Sequence, residues 1–306
     1  MNCPLCGNKE YLTIRRSCMN DLRAQWVQSF RFDPFPNEFK HKIIERRRCA
    51  SCDLEFFSPS LFGDAEFYSK LSKNSWYYEG DKWEYDVALE AVLLHKPSTL
   101  LEIGCGEGCF LEKIQSLGIK SIGVDINQDA ISACRQKGLN VDARSIVQID
   151  ESYDMVVLFE VLEHMEDLGE LFNILSKKIV KKGGHLVVAV PNPEGYLSNF
   201  DNNLLDMPPH HNSIWRLSCF RKLDKLFGFS IIDYQREPIR LVHFNAYLRN
   251  LSDGQITLST KSFKSKIFYC LQKIIMQLIS PAVFLICKDQ VAGQTHLIVM
   301  RNDGQN

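Results

Sequence analysis

Residues 102–108 read Glu102-Ile103-Gly104-Cys105-Gly106-Glu107-Gly108, and the segment leading into them, Thr99-Leu100-Leu101-Glu102-Ile103, has the short apolar run of a buried strand. Beyond the glycines, Phe110, Leu111, Ile114 and Leu117 recur at helical spacing and stop at Gly118, a residue suited to a C-terminal cap. Strand, glycine turn and helix in that order put the loop at a strand's carboxyl end, where open α/β sheets bind ligands. Glycine matters there because a Cβ would hold a ligand away from the backbone. The spacing also discriminates between ligands. A dinucleotide loop, G-x-G-x-x-G, needs its third glycine at position 109, which is Cys109; here it falls at Gly108.

The same alternation continues downstream. Ile119 to Val124, Leu139 to Val141, Tyr153 to Phe159, His185 to Val190, Phe229 to Tyr234 and Thr295 to Met300 read as further strands. Helical faces lie between them: Ala130, Ile131 and Cys134 before Gly138; Leu168, Leu171, Phe172, Leu175 and Ile179; then Phe220, Leu223, Leu226 and Phe227, with Ser218 as the N-cap and Gly228 as the stop. Crossovers of this length join parallel strands and cover both faces of the sheet. The expected fold is α/β: a Rossmann-like, mostly parallel seven-stranded sheet with helices on both faces.

The G-x-G-x-G loop with an acid two residues before it resembles motif I of the class I S-adenosylmethionine-dependent methyltransferases. Ile122-Gly123-Val124-Asp125-Ile126-Asn127 is similar to the family's second-strand motif, Tyr153 through His164 to its fourth-strand motif, and Gly183 through Asn192 to its fifth. The resemblance covers Leu100 to Asn192 in the family's order. It implies that the backbone of Gly104, Cys105 and Gly106 approaches the methionine part of S-adenosylmethionine, that Asp125 takes the ribose hydroxyls, and that Ile126 and Ala143 lie against adenine. Glu102 would fix the loop, while Phe159 and Glu160 would border the methionyl group and sulfonium. His164 is expected as an orienting residue at the cofactor, and Tyr78, with Tyr77 and Trp83, as an aromatic lid over it. Glu163 reads as a solvated helix start. On the acceptor side, His210 and His211, after the fifth strand, are the candidate catalytic bases, since imidazole can take a proton near neutral pH.

At the N-terminus, Cys3-x2-Cys6 and Cys49-x2-Cys52 form two knuckles that suit a tetrahedral zinc ion, closed and therefore structural. Their wide separation calls for an insertion, roughly 19–39, carrying Trp26, Phe30, Phe32 and Phe35. These knuckles also resemble those of zinc-ribbon methyltransferases of bacterial sugar and polysaccharide pathways. The expected division is a zinc-ribbon-like segment at 1–60, a linker and aromatic lid at 61–98, and a methyltransferase domain at 99–306 with a helical insertion near 240–290.

The whole chain, 306 residues with 36 Lys plus Arg against 37 Asp plus Glu, has a net charge of -1, which argues against a polyanionic partner. With 45% apolar and 24% charged residues it is an ordinary globular composition. Met1-Asn2-Cys3-Pro4 offers neither a basic start nor an apolar run, so the expected location is the cytoplasm, with reduced thiols. Residues 263–287 are apolar with a polar stripe; a packed helix is expected, with peripheral contact to the inner face of the membrane as the alternative.

The function expected is methyl transfer from S-adenosylmethionine to a small-molecule acceptor such as a sugar, nucleotide sugar or lipid-linked saccharide. Three alternatives stay open. They are an RNA methyltransferase gripping through Arg46-Arg47-Arg48, a non-catalytic S-adenosylmethionine-binding protein, and a nicotinamide oxidoreductase.

Overall fold

Along Leu100–Ile103 and Val156–Phe159, successive side chains point to opposite faces, so a continuous apolar run can survive only in a strand covered twice. A computed structural model describes residues 2–35, 42–74, 77, 80–196, 203–241, 243–244, 283–286 and 290–304. In chain order, β1 (Tyr11–Cys18), α1 (Met19–Phe30), β2 (Ile43–Cys49), β3 (Glu55–Ser58), α2 (Ala65–Leu71) and α3 (Trp83–His95) come first. Next come β4 (Thr99–Ile103), α4 (Cys109–Ser116), β5 (Lys120–Val124), α5 (Gln128–Gln136), β6 (Val141–Asp142), β7 (Tyr153–Phe159), α6 (Leu168–Ile174) and β8 (Val180–Pro191). The remainder is β9 (Ser213–Ile214), α7 (Leu217–Phe220), α8 (Leu223–Phe227), β10 (Phe229–Pro238) and β11 (Ala292–Asn302).

Seven strands form one sheet in the order β10-β11-β8-β7-β4-β5-β6, and among them β11 alone runs antiparallel to its neighbours. Every strand expected from residue 99 onward is present. One face packs Leu100, Met155, Val157, Val187 and Leu297 against Ala88 and Val92 of α3 and Phe110 and Ile114 of α4. The other packs Leu101, Val156, Leu158, Leu186 and Ile298 against Phe172 of α6, Phe220 of α7 and Leu223 of α8. Each such buried side chain contributes about 1.5–3 kcal/mol of transfer free energy. Helix α3, which precedes residue 99, thus packs on one face of the sheet.

The helix expected from Ser218 is broken into α7 and α8, and Ser218 is not its N-cap: Arg216 holds that position, while the Ser218 hydroxyl donates to Asp53. Gly228 does close α8 in the left-handed conformation, at φ 77. Leu117, expected on the helix face, is the largely exposed C-cap of α4.

A second sheet, β1-β2-β3-β9, is antiparallel throughout. Helix α1 is the insertion between its first two strands, and it buries Met19, Leu22 and Trp26 against Ile44, Phe57, Phe67 and Leu71. The expected ribbon is therefore not self-contained. Its fourth strand, β9, comes from beyond β8, and Cys3, Leu5, Leu54 and Phe56 share one apolar cluster with the large sheet. The first knuckle also docks on α6. Gly169 donates its N–H to Pro4 O at 2.9 Å, and a Cβ on Gly169 would lie 2.8 Å from Leu5 O.

Tyr78 and all of 263–287 except 283–286 lie outside the described residues, so the lid tyrosine and the apolar helix are not placed. No described helix is long and apolar enough to cross a membrane.

Candidate active site

The glycine loop is shaped by the chain itself. Gly104, Gly106 and Gly108 have φ of 76, 49 and 80, a region that L side chains enter only with strain. A Cβ on Gly104 would meet Val161 Cγ2 at 2.3 Å, and one on Gly108 would meet Leu139 Cδ1 at 2.4 Å. Gly104 and Cys105 donate their N–H groups to Val124 O, at 2.8 and 3.2 Å, tying the loop to the end of β5. There Asp125 accepts from Gly106 N through Oδ2 and from Asn127 N through Oδ1, both at 2.8 Å. Each oxygen keeps a further lone pair for a ligand. Beside it Ile126 is 71% exposed, an apolar side chain with nothing on it, while Ala143 packs half-buried under the rim. Cys105 offers its backbone only, because its side chain is buried among Leu111, Ile131 and Leu139. Cys134 supports the loop from below, its thiol donating to Gly106 O at 3.2 Å.

Between this loop and the end of β7 lies a group of buried carboxyls. Glu102 Oε2 is buried with no hydrogen-bond partner, and burial followed by the charge of Asp125 raises its pKa well above the carboxylate range. Glu160 sits at φ 53, a strained conformation for a non-glycine residue, and accepts from Thr295 Oγ1 at 3.3 Å. Burial, with Glu163 and Glu84 as neighbours, raises its pKa well above the usual value. Glu84, on α3, is pushed up mainly by burial, with Lys82 opposing from 4.0 Å. A site with this much uncompensated acidity suits a cation. Phe159 does not border it through its ring, which packs into the core edge-on to Tyr85 at 5.0 Å and to Phe110 at 4.8 Å.

Glu163 is not a solvated helix start. It is 1% exposed, and both its carboxylate oxygens lack hydrogen-bond partners. Around it stand His164, His210 and His211, with ring centroids 4.4 to 4.9 Å apart. The structure thus groups His164 with the two expected acceptor-side histidines rather than with the loop. Tyr68 OH lies 3.3 Å from His164 Nδ1, and Tyr77 packs against His210 at 6.3 Å, so Tyr77 belongs to this cluster. Trp83, at the first position of α3, is half-buried against the sheet. Burial holds His164 down to about 4 and His210 and His211 well below the ordinary imidazole value. Tyr68, Glu84 and Asp206 escaped the sequence reading, and Glu163 was placed in solvent by it. The spacing Glu160-x-x-Glu163-His164 was a visible signal for Glu163, since a single turn brings such residues to one side.

The four knuckle cysteines converge at the far edge. Sγ atoms of Cys3 and Cys52, and of Cys6 and Cys49, are 3.5 Å apart, and all four ligand atoms lie within 4.8 Å of one another. Tetrahedral zinc at about 2.3 Å from sulfur has edges of roughly 3.8 Å, so the donor set fits such an ion. Each second cysteine is followed by a left-handed residue, Gly7 at φ 71 and Asp53 at φ 66, which turns the chain back. Burial pushes the Cys49 thiol up, but the amides of Cys52 and Ser51 outweigh it and bring it down to about 7. The arginine run of β2 is spent internally. Arg46, Arg48 and Arg216 donate to the fully buried Glu55, and Arg47 pairs with Glu45 while lying over the Tyr11 ring.

The strand order, the single reversed strand, the glycine loop after β4 and the acid after β5 define a Rossmann-like fold of the methyltransferase class. The chain belongs to the methyltransferase-domain family, whose profile matches residues 78–234. Over 102 residues it is 35% identical to the ubiquinone biosynthesis O-methyltransferase of Brucella anthropi and 32% identical to that of Rhizobium etli. The matched stretch is 30% of this chain, and the chain spans 41% of the length of these curated relatives. Among solved structures, a SAM-dependent methyltransferase from Archaeoglobus fulgidus aligns with a TM-score of 0.49 at 22% identity, covering 76% of this chain and 99% of that one.

Proposed function

We propose that this chain transfers the methyl group of S-adenosylmethionine to an oxygen of a small-molecule acceptor, with a structural zinc ion in the cysteine centre. The observation that carries the reading is the group of buried carboxyls, Glu102, Glu160 and Glu84, facing a glycine loop: it calls for a ligand that is cationic and closely approached by backbone. S-adenosylmethionine bears both an ammonium and a sulfonium. The membership in the methyltransferase-domain family and the names of the relatives, O-methyltransferases, support the same choice.

The cofactor, when bound, supplies a methyl already activated on sulfur. The work left to the chain is binding, alignment and exclusion of water. Asp125 would use its spare lone pairs on the ribose hydroxyls, and Ile126 and Ala143 would offer apolar surface to adenine. Glu102 and Glu160 would settle the cationic end, their charged forms recovered when a cation replaces the missing partner. His210 and His211, held neutral by burial, are weak proton acceptors, and general-base catalysis favours a pKa near the working pH. A bare ring nitrogen in that setting serves better as a ligand than as a base. The acceptor classes consistent with the chain's near-zero net charge include phenols, sugars and lipid-linked saccharides.

The test is incubation with deuteromethyl S-adenosylmethionine and a panel of phenols, nucleotide sugars and lipid-linked saccharides, followed by mass spectrometry. A mass gain on an acceptor oxygen is expected. Absence of cofactor binding by calorimetry would refute the reading outright, while cofactor binding with no product from the full panel would favour the non-catalytic alternative.

A further inference from the structure

Three imidazoles and a carboxylate meet where the mechanism above needs none of them as bases. Nδ1 of His164 is 2.5 Å from His210 O, and Nδ1 of His210 is 2.8 Å from Leu205 O. A carbonyl oxygen can only accept, so both Nδ1 atoms carry the proton. Nδ1 of His211 is 3.3 Å from Asp206 Oδ1, a third acceptor. The His210 ring therefore turns a bare Nε2, buried without a hydrogen-bond partner, the other way, and Nε2 of His164 and of His211 lie on the side of Glu163. Metal-binding histidines are oriented in this manner, with the second nitrogen donating to a carbonyl or carboxylate.

Close to two of these nitrogens stands Glu163. Its Oε1 is 3.8 Å from His164 Nε2 and 3.7 Å from His211 Nε2, too long for a hydrogen bond. Both oxygens of Glu163, and Nε2 of His210, are buried without any hydrogen-bond partner. A buried acid with no hydrogen-bond partner is costly, and a bound cation would supply the partner it lacks. The three histidine ligand atoms lie within 4.8 Å of one another. Two ligands on one ion at about 2.0–2.1 Å stand roughly 3.3 Å apart in a tetrahedron, so small side-chain rotations close the set.

We propose that His164, His210, His211 and Glu163 bind a divalent first-row transition-metal ion, at a site separate from the cysteine centre. Imidazole nitrogen with one carboxylate selects manganese, iron, cobalt or zinc rather than calcium. Tyr68, Asp206 and the carbonyls of Leu205 and His210 orient the ligands. Glu163 also neighbours Glu160, so the ion lies at the rim of the acidic pocket, on the side left for the acceptor. Binding of the ion stands apart from the methyl-transfer reading; only its nearness to an acceptor oxygen rests on that reading.

Cobalt(II) is the probe, added to full-length protein whose cysteine centre is already filled with zinc. One further cobalt per chain is expected, giving visible ligand-field bands without the near-ultraviolet thiolate charge transfer that the cysteine centre would produce. His211→Ala and the isosteric Glu163→Gln should each weaken cobalt binding by about 10-fold or more. Where His211→Ala fails to fold by circular dichroism, proton magnetic resonance of the wild type answers instead: exchangeable hyperfine-shifted imidazole N–H signals are expected from three rings. A wild-type protein that takes no cobalt beyond its zinc, or cobalt binding unchanged in folded Glu163→Gln, overturns the proposal. Calorimetry with S-adenosylmethionine in the absence of added metal reports on the methyltransferase reading separately.

Discussion

Asp125 carries two loads, since it accepts the Gly106 amide that shapes the loop and leaves lone pairs for a ligand. Removing it should both loosen the loop and strip the ribose contacts. Asp125→Ala is expected to weaken S-adenosylmethionine binding by about 10- to 100-fold in calorimetry, the range for lost charged hydrogen bonds. His296 gives a prediction of a different kind. It is buried against Phe220 and Tyr234, its Nε2 has no partner, and burial holds its pKa down to about 4. The unfolded chain protonates this ring near pH 6.5, whereas the folded chain does not until about 4. Stability present above about pH 6.5 is therefore lost as pH falls toward about 4, at about 1.4 kcal/mol per unit. Urea unfolding at about pH 7.5 and about pH 5 should show His296→Leu losing roughly 2 kcal/mol less than wild type over that interval. At this scale the turn of the glycine loop, with Asp125 beside it, was legible because it depends on backbone and position. Phe159 and Glu163 were not, because which side of a strand end faces the pocket depends on what α3, α4 and the 203–212 segment place there.

At the scale of elements, β2 shows how a run of like charge can be structural. Arg46, Arg48 and Arg216 surround Glu55, whose carboxylate stays below its ordinary range because these guanidiniums outweigh its burial. Neutralising the centre leaves three cations without their acceptor. Glu55→Gln is expected to destabilise the chain by about 3 kcal/mol in thermal unfolding, tempered by the partial exposure of the arginines. RNA retention on a filter, if any, should be as weak for wild type as for Arg47→Ala, since the run is paired with Glu45 and Glu55 and does not offer a free basic face. The seven strands of the large sheet were readable because buried parallel strands are apolar throughout and glycines punctuate the helices between them. The small sheet was not. Its fourth strand is two residues long and carries no periodicity. The histidine cluster was hidden for a related reason, being assembled from α2, the turn after β7 and the 203–212 segment.

For the molecule as a whole, the cysteine centre and the large sheet share one apolar cluster, with Cys3 and Cys52 packed in the same group as Leu101 and Phe172. Stripping the metal should therefore not release a separate module. Calorimetric scanning is expected to show one transition with zinc, and the same transition lowered by about 10 °C or more after chelation under reducing conditions. Two resolved transitions in the zinc-loaded protein would contradict the shared core. A deletion of residues 1–60 should likewise fail to give a soluble domain, since it uncovers Leu101, Phe172 and Trp215 on one face of the sheet.

The strand β9 also sets an order of events during synthesis. Glu55 pairs across to Ile214 and accepts from Arg216, a residue made 161 positions later. At about 5–20 residues per second, the edge of β3 leaves the ribosome roughly ten seconds or more before its neighbour exists. During that interval β3, paired to β2 on one side, keeps its other edge open with Phe56 and Phe57 on it, and the two knuckles, both complete by Cys52, can already close on a metal ion. The proposed zinc ion would then act during translation, and synthesis in zinc-depleted medium is expected to lower the soluble yield more than zinc removal from the finished protein does.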